Sequence, residues 1–272
     1  MKPTTRHAAI ALRPLTVAVR TLRRHQPLTI LGWHRVDGLG GGVSTRLHIF
    51  EHQLDHLQQW GAAVLPLRDA LAMLSAGRLP ERAVCLTFDD GYSSVIETAW
   101  PLLRERDYSA IMFVCTEYLD GKQHFRWDTR GPDDPRAQLV DAQAVRDAHA
   151  GGMVIGSHTA THRWLPRLSD DAMRDELTRS REDLEQLLSE PVDSLAYPMG
   201  GWSRRVRATA LQAGYTAAVT TDRGLNNRRQ DRLLLRRSIV SDSVEDFRLM
   251  LDGAYNWLRP IDRWRIRNGP AW

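Results

Sequence analysis

Short apolar runs alternate with helical patterns along most of this chain, and this alternation restricts its fold more than any other feature. The stretches between the runs repeat apolar residues at helical spacing, as Phe50, Leu54 and Leu57 do. Strands are predicted at 28–33, Ala83–Phe88, 109–114, 153–156, 195–197, 215–220 and 233–240, and helices at 95–106, 139–150, 169–188, 203–213 and 244–258. Alternating strands and helices favour a parallel sheet with crossover helices, so we expect an α/β barrel or a doubly wound sheet.

Two adjacent carboxylates follow one of these strand runs. Asp89 and Asp90 come directly after Ala83–Phe88 and are followed by Gly91. In an α/β barrel the carboxyl ends of the strands face the active site, and adjacent residues there point in different directions. One aspartate can therefore bind a metal while the other handles protons, although Asp-Asp-Gly is also a common turn sequence.

Two histidines follow a second strand run. His158 and His162 lie four residues apart, a spacing at which two imidazoles can meet one ion, although two surface histidines at a helix start give the same pattern. With one aspartate they form a three-ligand set that leaves positions open for water, which is typical of catalytic metal sites. These ligand types favour Zn²⁺ and also accept Co²⁺, Ni²⁺ or Fe²⁺.

Three segments together resemble the motifs of the polysaccharide deacetylases, the family-four carbohydrate esterases with a nodulation-protein homology domain. They are Thr-Phe-Asp-Asp-Gly at 87–91, Ser-His-Thr-Ala-Thr-His at 157–162 and Ala-Tyr-Pro-Met-Gly at 196–200, and the segment 31–36 is similar to one near the start of many members. The resemblance covers roughly 28–247. It implies a distorted, incomplete (β/α) barrel. It also implies hydrolysis of an N-acetyl or other N-acyl group on an amino sugar in a polysaccharide or lipid-linked glycan.

The same resemblance implies a role for each motif residue. Asp89 is expected to be the general base that deprotonates a metal-activated water. The metal ligands that it implies are Asp90, His158 and His162. The oxyanion turn that it implies is formed by Tyr197, Pro198 and Met199, with the backbone N–H of Met199 as the donor.

Two positions depart from the family pattern. Many members carry an arginine two residues before the proline of the third motif, where it pairs with the catalytic aspartate, but here Ala196 stands there. Either Arg236 or Arg237, at the end of a late strand run, is expected to replace it. Members also use a histidine on a late strand as general acid, but no histidine follows His162. His34 is the candidate general acid, with a hydrogen bond to the barrel rim as its other interpretation.

The two ends of the chain differ from its body in composition. Residues 1–26 carry six basic and no acidic residues, so of the net charge of +4 the remainder contributes −2. We therefore divide the chain into a basic arm at 1–26, a barrel domain at 27–258 and an Arg- and Trp-rich tail at 259–272. The arm is either a solvated tail or a peripheral contact with a membrane. Without a clear signal peptide, the expected compartment is the cytoplasm, with association to the membrane through the arm.

Composition also restricts partners and alternative functions. With only two cysteines, a disulfide scaffold and a cysteine zinc finger are excluded. The body of the chain lacks a stripe of interleaved basic and aromatic residues, so we do not expect a nucleic acid partner. The oligomeric state stays open. Trp127, in the long irregular segment 120–135, either stacks on a sugar ring or anchors its loop.

Two other functions compete with the deacetylase hypothesis. The missing arginine and late histidine motivate a carbohydrate-binding or scaffold protein that has lost catalysis, whereas the intact Asp89 argues against it. A two-histidine, one-carboxylate iron oxygenase ranks lower, because here the carboxylate lies far upstream of the histidines and in an α/β pattern.

Overall fold

The computed structural model of the chain describes residues 3–21, 26–38, 40, 42–121, 123–128, 134 and 137–269. The strands are β1 Thr29–Trp33, β2 Arg35–Asp37, β3 Ser44–Arg46, β4 Ala63–Val64, β5 Ala83–Phe88, β6 Ala110–Val114, β7 Val154–Ser157, β8 Ser194–Ala196, β9 Ala217–Val219 and β10 Ser238–Ile239. The α-helices are α1 Pro3–Thr21, α2 Leu47–Trp60, α3 Leu67–Ala76, α4 Trp100–Arg104, α5 Ala142–Ala150, α6 Asp170–Leu188, α7 Arg204–Gln212, α8 Val244–Leu251 and α9 Arg259–Asn268.

The main sheet is entirely parallel and curls into a distorted barrel. Its strand order is β10-β1-β5-β6-β7-β8-β9, with β4 also paired to β5, whereas β2 and β3 form a separate parallel pair. A single parallel bridge between Val219 and Leu235 connects β9 to the segment that leads into β10. The curled parallel sheet confirms the distorted, incomplete (β/α) barrel that the family resemblance implied, which is one of the two folds that the alternating pattern allowed.

Local sequence explains why these elements form where they do. Every residue of β1, β5 and β6 is buried, as expected for parallel strands covered on both faces. The side chains of Ser169 and Ser203 accept hydrogen bonds from the backbone at the starts of α6 and α7, and therefore act as N-caps. The expected helical face of α2 is buried as well, through Phe50, Leu54 and Leu57.

Three predicted elements are wrong in their extent. The expected strand 233–240 is a short 3₁₀ turn at Arg232–Leu234 followed by the two-residue strand β10, because this segment first bonds to β9 and then crosses to β1. The expected helix 95–106 begins as a π-helical turn, Val95–Ala99. Pro101 lies in the first turn of α4, where a proline is tolerated because a backbone N–H at that position would have no partner within the helix. The expected helix 244–258 stops at the end of α8.

Both ends of the described chain are helical. Helix α1 packs on α8 through Ala9, whose neighbours include Leu249 and Ala254. Two ion pairs strengthen this contact, between Arg6 and Asp246 at 2.9 Å and between Arg13 and Asp252 at 2.6 Å. Among the described residues, no helix combines the length and the apolar character needed to cross a membrane.

Candidate active site

A cavity of about 380 Å³ opens where the main strands end at their carboxyl edges. Asp89 and Asp90 reach it from β5, His158 from β7, and His34 from the residue after β1. The structure thus gathers residues that the sequence proposed from distant parts of the chain. Those lining the cavity are His34, Asp89, Asp90, Trp127, His158, His162 and Met199.

Asp90 and the two histidines form one buried cluster. The Oδ1 atom of Asp90 lies 3.3 Å from Nε2 of His158 and 3.4 Å from Nε2 of His162. One ligand atom from each of the three residues lies within 4.8 Å of the others. Oδ1 of Asp90 is buried and has no hydrogen-bond partner in the described part of the chain. Because a buried polar atom normally has a partner, a carboxylate oxygen left open between two imidazoles fits a cation site.

The orientation of the imidazoles also fits metal ligation. Nδ1 of His158 lies 2.7 Å from the carbonyl oxygen of Ala196, so it donates there and leaves Nε2 free to face Asp90. The ring of His162 packs against Trp127, with 4.8 Å between ring centroids. Burial and the neighbouring His158 lower the pKa of His162 to about 4. At neutral pH His162 is therefore in the uncharged form that a metal requires.

Asp89 is held apart from this cluster by Arg237. The two terminal nitrogens of Arg237 donate to the two oxygens of Asp89, at 2.5 and 2.6 Å, and one of them also donates to the hydroxyl of Thr87. Arg237 is fully buried, and its stem passes over Gly32, where a Cβ would lie 3.2 Å from its Cδ. Arg236 instead bonds to the carbonyl of Leu225. The arginine that pairs with the first aspartate thus comes from the segment before β10.

The charges around the two aspartates keep both ionised. Burial raises the pKa of Asp89, but the guanidinium of Arg237 outweighs it and holds that pKa below its usual range. Burial likewise raises the pKa of Asp90, and the nearby imidazoles, His158 first, outweigh it. Burial lowers the pKa of His158, but the two aspartates raise it more. The site therefore combines one carboxylate that stays deprotonated beside an arginine with a second carboxylate suited to a cation.

The third segment that the sequence singled out lies in the turn after β8. Met199 lines the cavity and has a φ of 55°, in the left-handed region that few non-glycine residues adopt. Tyr197 is fully buried, and its hydroxyl donates to the carbonyl of Leu233. Pro198 is buried as well. The turn thus exposes Met199 to the cavity, whereas the ring of Tyr197 belongs to the core.

The long loop contributes one wall of the cavity. Trp127 is half-buried, stacks on Phe125 at 4.3 Å, and donates from Nε1 to the hydroxyl of Tyr92. This hydroxyl in turn donates to Asp128, which also accepts from Arg35 at 3.0 Å. Sequence reasoning missed this network, because its members lie far apart in the chain. The only available signal was that Tyr92 follows the two aspartates and Asp128 follows Trp127.

Fold and site together define a class of protein. It is an α/β barrel whose strand ends carry an Asp-His-His cluster beside a buried aspartate–arginine pair. The sequence profile of the family described as polysaccharide deacetylase matches residues 76–218, which is more than half of the chain. The chain belongs to this family, whose members are hydrolases that act on non-peptide C–N bonds.

Comparisons with individual proteins agree with this assignment. YxkH of Bacillus subtilis, named as a candidate polysaccharide deacetylase, is 26% identical over 218 residues, which are 80% of this chain and 72% of that protein. The poly-beta-1,6-N-acetyl-D-glucosamine N-deacetylase of Staphylococcus aureus (strain MRSA252) is 23% identical over 151 residues, and the match spans 56% of this chain and about half, 52%, of that enzyme.

Solved structures share the fold. The Streptococcus pyogenes deacetylase PplD, determined with acetate, superposes with a TM-score of 0.72 at 22% identity, over 84% of this chain and 99% of that one. IcaB from Ammonifex degensii gives a TM-score of 0.71 at 22% identity, over 85% and 97% of the two chains. At this level of identity the superpositions show a common architecture.

Proposed function

We propose that this chain is a metal-dependent hydrolase that removes an N-acetyl or other N-acyl group from an amino sugar in a polysaccharide or lipid-linked glycan. The observation that carries the proposal is the convergence of the Asp90, His158 and His162 cluster with a separately held Asp89 in one cavity. A binding protein has no need of the second carboxylate, whereas hydrolysis needs a base beside the cation.

The three-residue cluster fits one divalent cation, with Zn²⁺ favoured by its ligand types and Co²⁺, Ni²⁺ or Fe²⁺ also accepted. When bound, this cation would polarise the amide carbonyl and lower the pKa of water toward neutrality. Asp90, His158 and His162 would hold it. His158 is kept in the ligating tautomer by its hydrogen bond to Ala196.

Asp89 then acts as the general base. Its Oδ2 lies 3.9 Å from Nε2 of His158, so the carboxylate borders the ligand cluster while both its oxygens accept from Arg237. Arg237 keeps Asp89 deprotonated and fixes its orientation. Arg237 is therefore a positioning residue, and it replaces the arginine that many family members carry at the position of Ala196.

Two further roles complete the reaction. The backbone N–H of Met199 is the proposed donor to the oxyanion, since Met199 lines the cavity at a turn whose backbone is already set. His34, half-buried in the same cavity, is the proposed acid that protonates the leaving amine. Trp127 covers the ligand His162 and offers its remaining surface to a sugar ring.

A second cavity supports a substrate larger than one sugar. Its volume is about 440 Å³, and it adjoins the catalytic cavity, because Gly42, Met199 and Thr221 line both. Trp164 and Arg265 also line it. A glycan or lipid-linked sugar can therefore extend beyond the reacting residue. The name of the staphylococcal relative, a poly-beta-1,6-N-acetyl-D-glucosamine N-deacetylase, also supports a glycan substrate.

The test is acetate release from N-acetylated oligosaccharides, both β-1,4 and β-1,6 linked. Bound metal is first removed from the protein with a chelator, and Zn²⁺ or Co²⁺ is then added. We expect metal-dependent release of acetate together with a free amine. Asp89→Asn should retain the metal but lose nearly all turnover, about 10²- to 10⁴-fold. Asp171→Asn is the matched control, because that side chain is 93% exposed on α6.

Stoichiometric metal without product from any acylated sugar would favour the alternative of a catalytically impaired carbohydrate-binding or scaffold protein. One of the two reasons for that alternative is now weaker, because Arg237 occupies the place of the missing arginine beside Asp89.

A further inference from the structure

Exposed apolar side chains are concentrated in the two terminal segments of the described chain. Of the ten large hydrophobic residues exposed in the described part of the chain, seven belong to α1 or to the C-terminal segment. These seven are Ile10, Leu12, Leu15, Val17, Trp257, Ile261 and Trp264. The two regions form one unit, because Ala9 of α1 shares a buried cluster with Tyr255 and Leu258 just before α9.

Three of these residues lie close together in sequence at the C-terminal end. Ile261 and Trp264 are three residues apart on α9 and share one of its faces, and Trp257 lies in the 3₁₀ turn Asn256–Leu258 that leads into α9. Their exposed fractions are 46%, 48% and 66%. Scattered single hydrophobic residues are normal on a surface, but an apolar face of this kind indicates a binding surface.

The charge beside this face is positive. Helix α9 carries four arginines and one acid, Asp262, and two of the arginines, Arg259 and Arg263, pair with the buried Asp222. Asp262 is buried and is neutralised by Arg223, so it does not offset the charge at the surface. Within the described ranges, no ion pair involves Arg265 or Arg267, and both are exposed. The surface therefore combines tryptophan, an aliphatic residue and unpaired guanidinium groups.

We propose that α9, with the adjoining α1, docks on the surface of a lipid bilayer that contains anionic lipids. Tryptophan with flanking arginine is the combination found at membrane interfaces, where indole rings lie among the headgroups and guanidinium groups meet lipid phosphates. A second copy of the chain is a poorer occupant, because a two-fold contact would bring these arginines against one another. The proposal stands on the surface alone and is independent of the hydrolase activity.

The test is co-sedimentation of the full chain with vesicles of POPC alone and of POPC with about 30% POPG. We expect binding to the anionic vesicles that weakens as the salt concentration rises. The double substitution Ile261→Glu with Trp264→Glu should weaken it at least about ten-fold, whereas Trp264→Phe should retain it. Arg267→Ala should weaken it about five-fold. The matched control is Leu211→Glu, since Leu211 is 53% exposed on α7.

Circular dichroism melting shows that each variant is folded before it is compared. Three results would overturn the proposal. One is the absence of binding to either vesicle. Another is equal binding by the wild-type chain and the Ile261→Glu, Trp264→Glu variant. The last is a dimer in sedimentation velocity that the same variant dissociates, since the face would then be covered by a second copy.

Discussion

Replacing Arg237 by alanine isolates the ion pair on which the proposed base depends. Arg237 has no exposed surface, Asp89 is 3% exposed, and two charge-assisted hydrogen bonds of 2.5 and 2.6 Å join them. Removing one member of a buried pair leaves the other charge without compensation, which costs about 3–5 kcal/mol. Asp89 can reduce this loss by taking up a proton. Protonated Asp89 could then no longer act as the general base, because a protonated carboxyl group cannot accept the proton of the water.

The assay is the pH profile of kcat/KM for acetate release, together with urea unfolding. Arg237 holds the pKa of Asp89 below its usual range, so the carboxylate of Asp89 in the wild-type chain stays ionised at acidic pH. In Arg237→Ala only burial remains, and burial raises the pKa of a carboxyl. We therefore expect the acid limb of the profile to move to higher pH, with part of the activity regained there, and unfolding at lower urea.

Two further variants make this prediction specific. Arg236→Ala is the control, because Arg236 bonds to Leu225 and does not touch Asp89. Ala196→Arg in the Arg237→Ala background moves the guanidinium to the family's usual position. Ala196 belongs to the same buried cluster as Phe113, and the Arg237 guanidinium lies over the ring of Phe113 at 6.0 Å. The double variant should therefore return the acid limb toward lower pH. An unmoved acid limb in Arg237→Ala would refute the role of the pair.

Other parts of the structure give further predictions. His158→Ala should reduce bound metal from about one ion per chain to almost none by mass spectrometry, and near-stoichiometric metal would contradict the ligand assignment. In Gly201→Ala the new Cβ would lie 2.5 Å from Cζ3 of Trp164, so we expect about 1–3 kcal/mol of destabilisation in urea, and an unchanged midpoint would refute the contact. Burial raises the pKa of Asp246, but hydrogen bonds from Arg6 and Tyr255 outweigh it and lower the pKa to about 2. The Asp246 pair should therefore stabilise α1 above about pH 4 and lose this effect as the pH falls toward 2, by at most about 2 kcal/mol because Arg6 is partly exposed. Hydrogen exchange of α1 measures this loss, and Arg6→Ala should abolish its pH dependence.

Sequence reasoning succeeded where local pattern and topology agree. Strand β5 was predicted with its observed bounds, because a buried parallel strand is a continuous apolar run that polar residues end. His158 and one of the two aspartates were then expected to meet, because the carboxyl ends of parallel strands share one edge of the sheet, and the family resemblance implied that this aspartate is Asp90. This inference required no knowledge of the intervening helices.

Sequence reasoning failed where contacts between distant parts of the chain decide the structure. Both Arg236 and Arg237 lay in an expected strand, and adjacent strand residues point to opposite faces, so only the register of the broken segment decides which one reaches Asp89. Helix α3 was not predicted. The contact of α1 with α8 depends on Arg6 and Asp246, which are 240 residues apart and carry no local signal of their pairing.

The different contacts of Asp89 and Asp90 follow from the backbone between them. The N–H of Asp89 still donates to the carbonyl of Trp33, so Asp89 continues the ladder from β5 to β1 and its carboxylate meets Arg237. Asp90 then adopts a φ of 75°, which leaves the ladder and brings its carboxylate to the two imidazoles. Aspartate tolerates this left-handed conformation better than most residues.

The same strain recurs around the site. Four of the seven non-glycine residues with positive φ in the described chain are Asp90, Thr159, His162 and Met199. Such conformations persist only where the surrounding structure enforces them, and they concentrate at functional sites. The turn at Asp90 therefore separates the two proposed roles: the first aspartate stays with the sheet and its arginine, and the second turns toward the two imidazoles. Exchanging the roles would require a different turn, not only a different side chain.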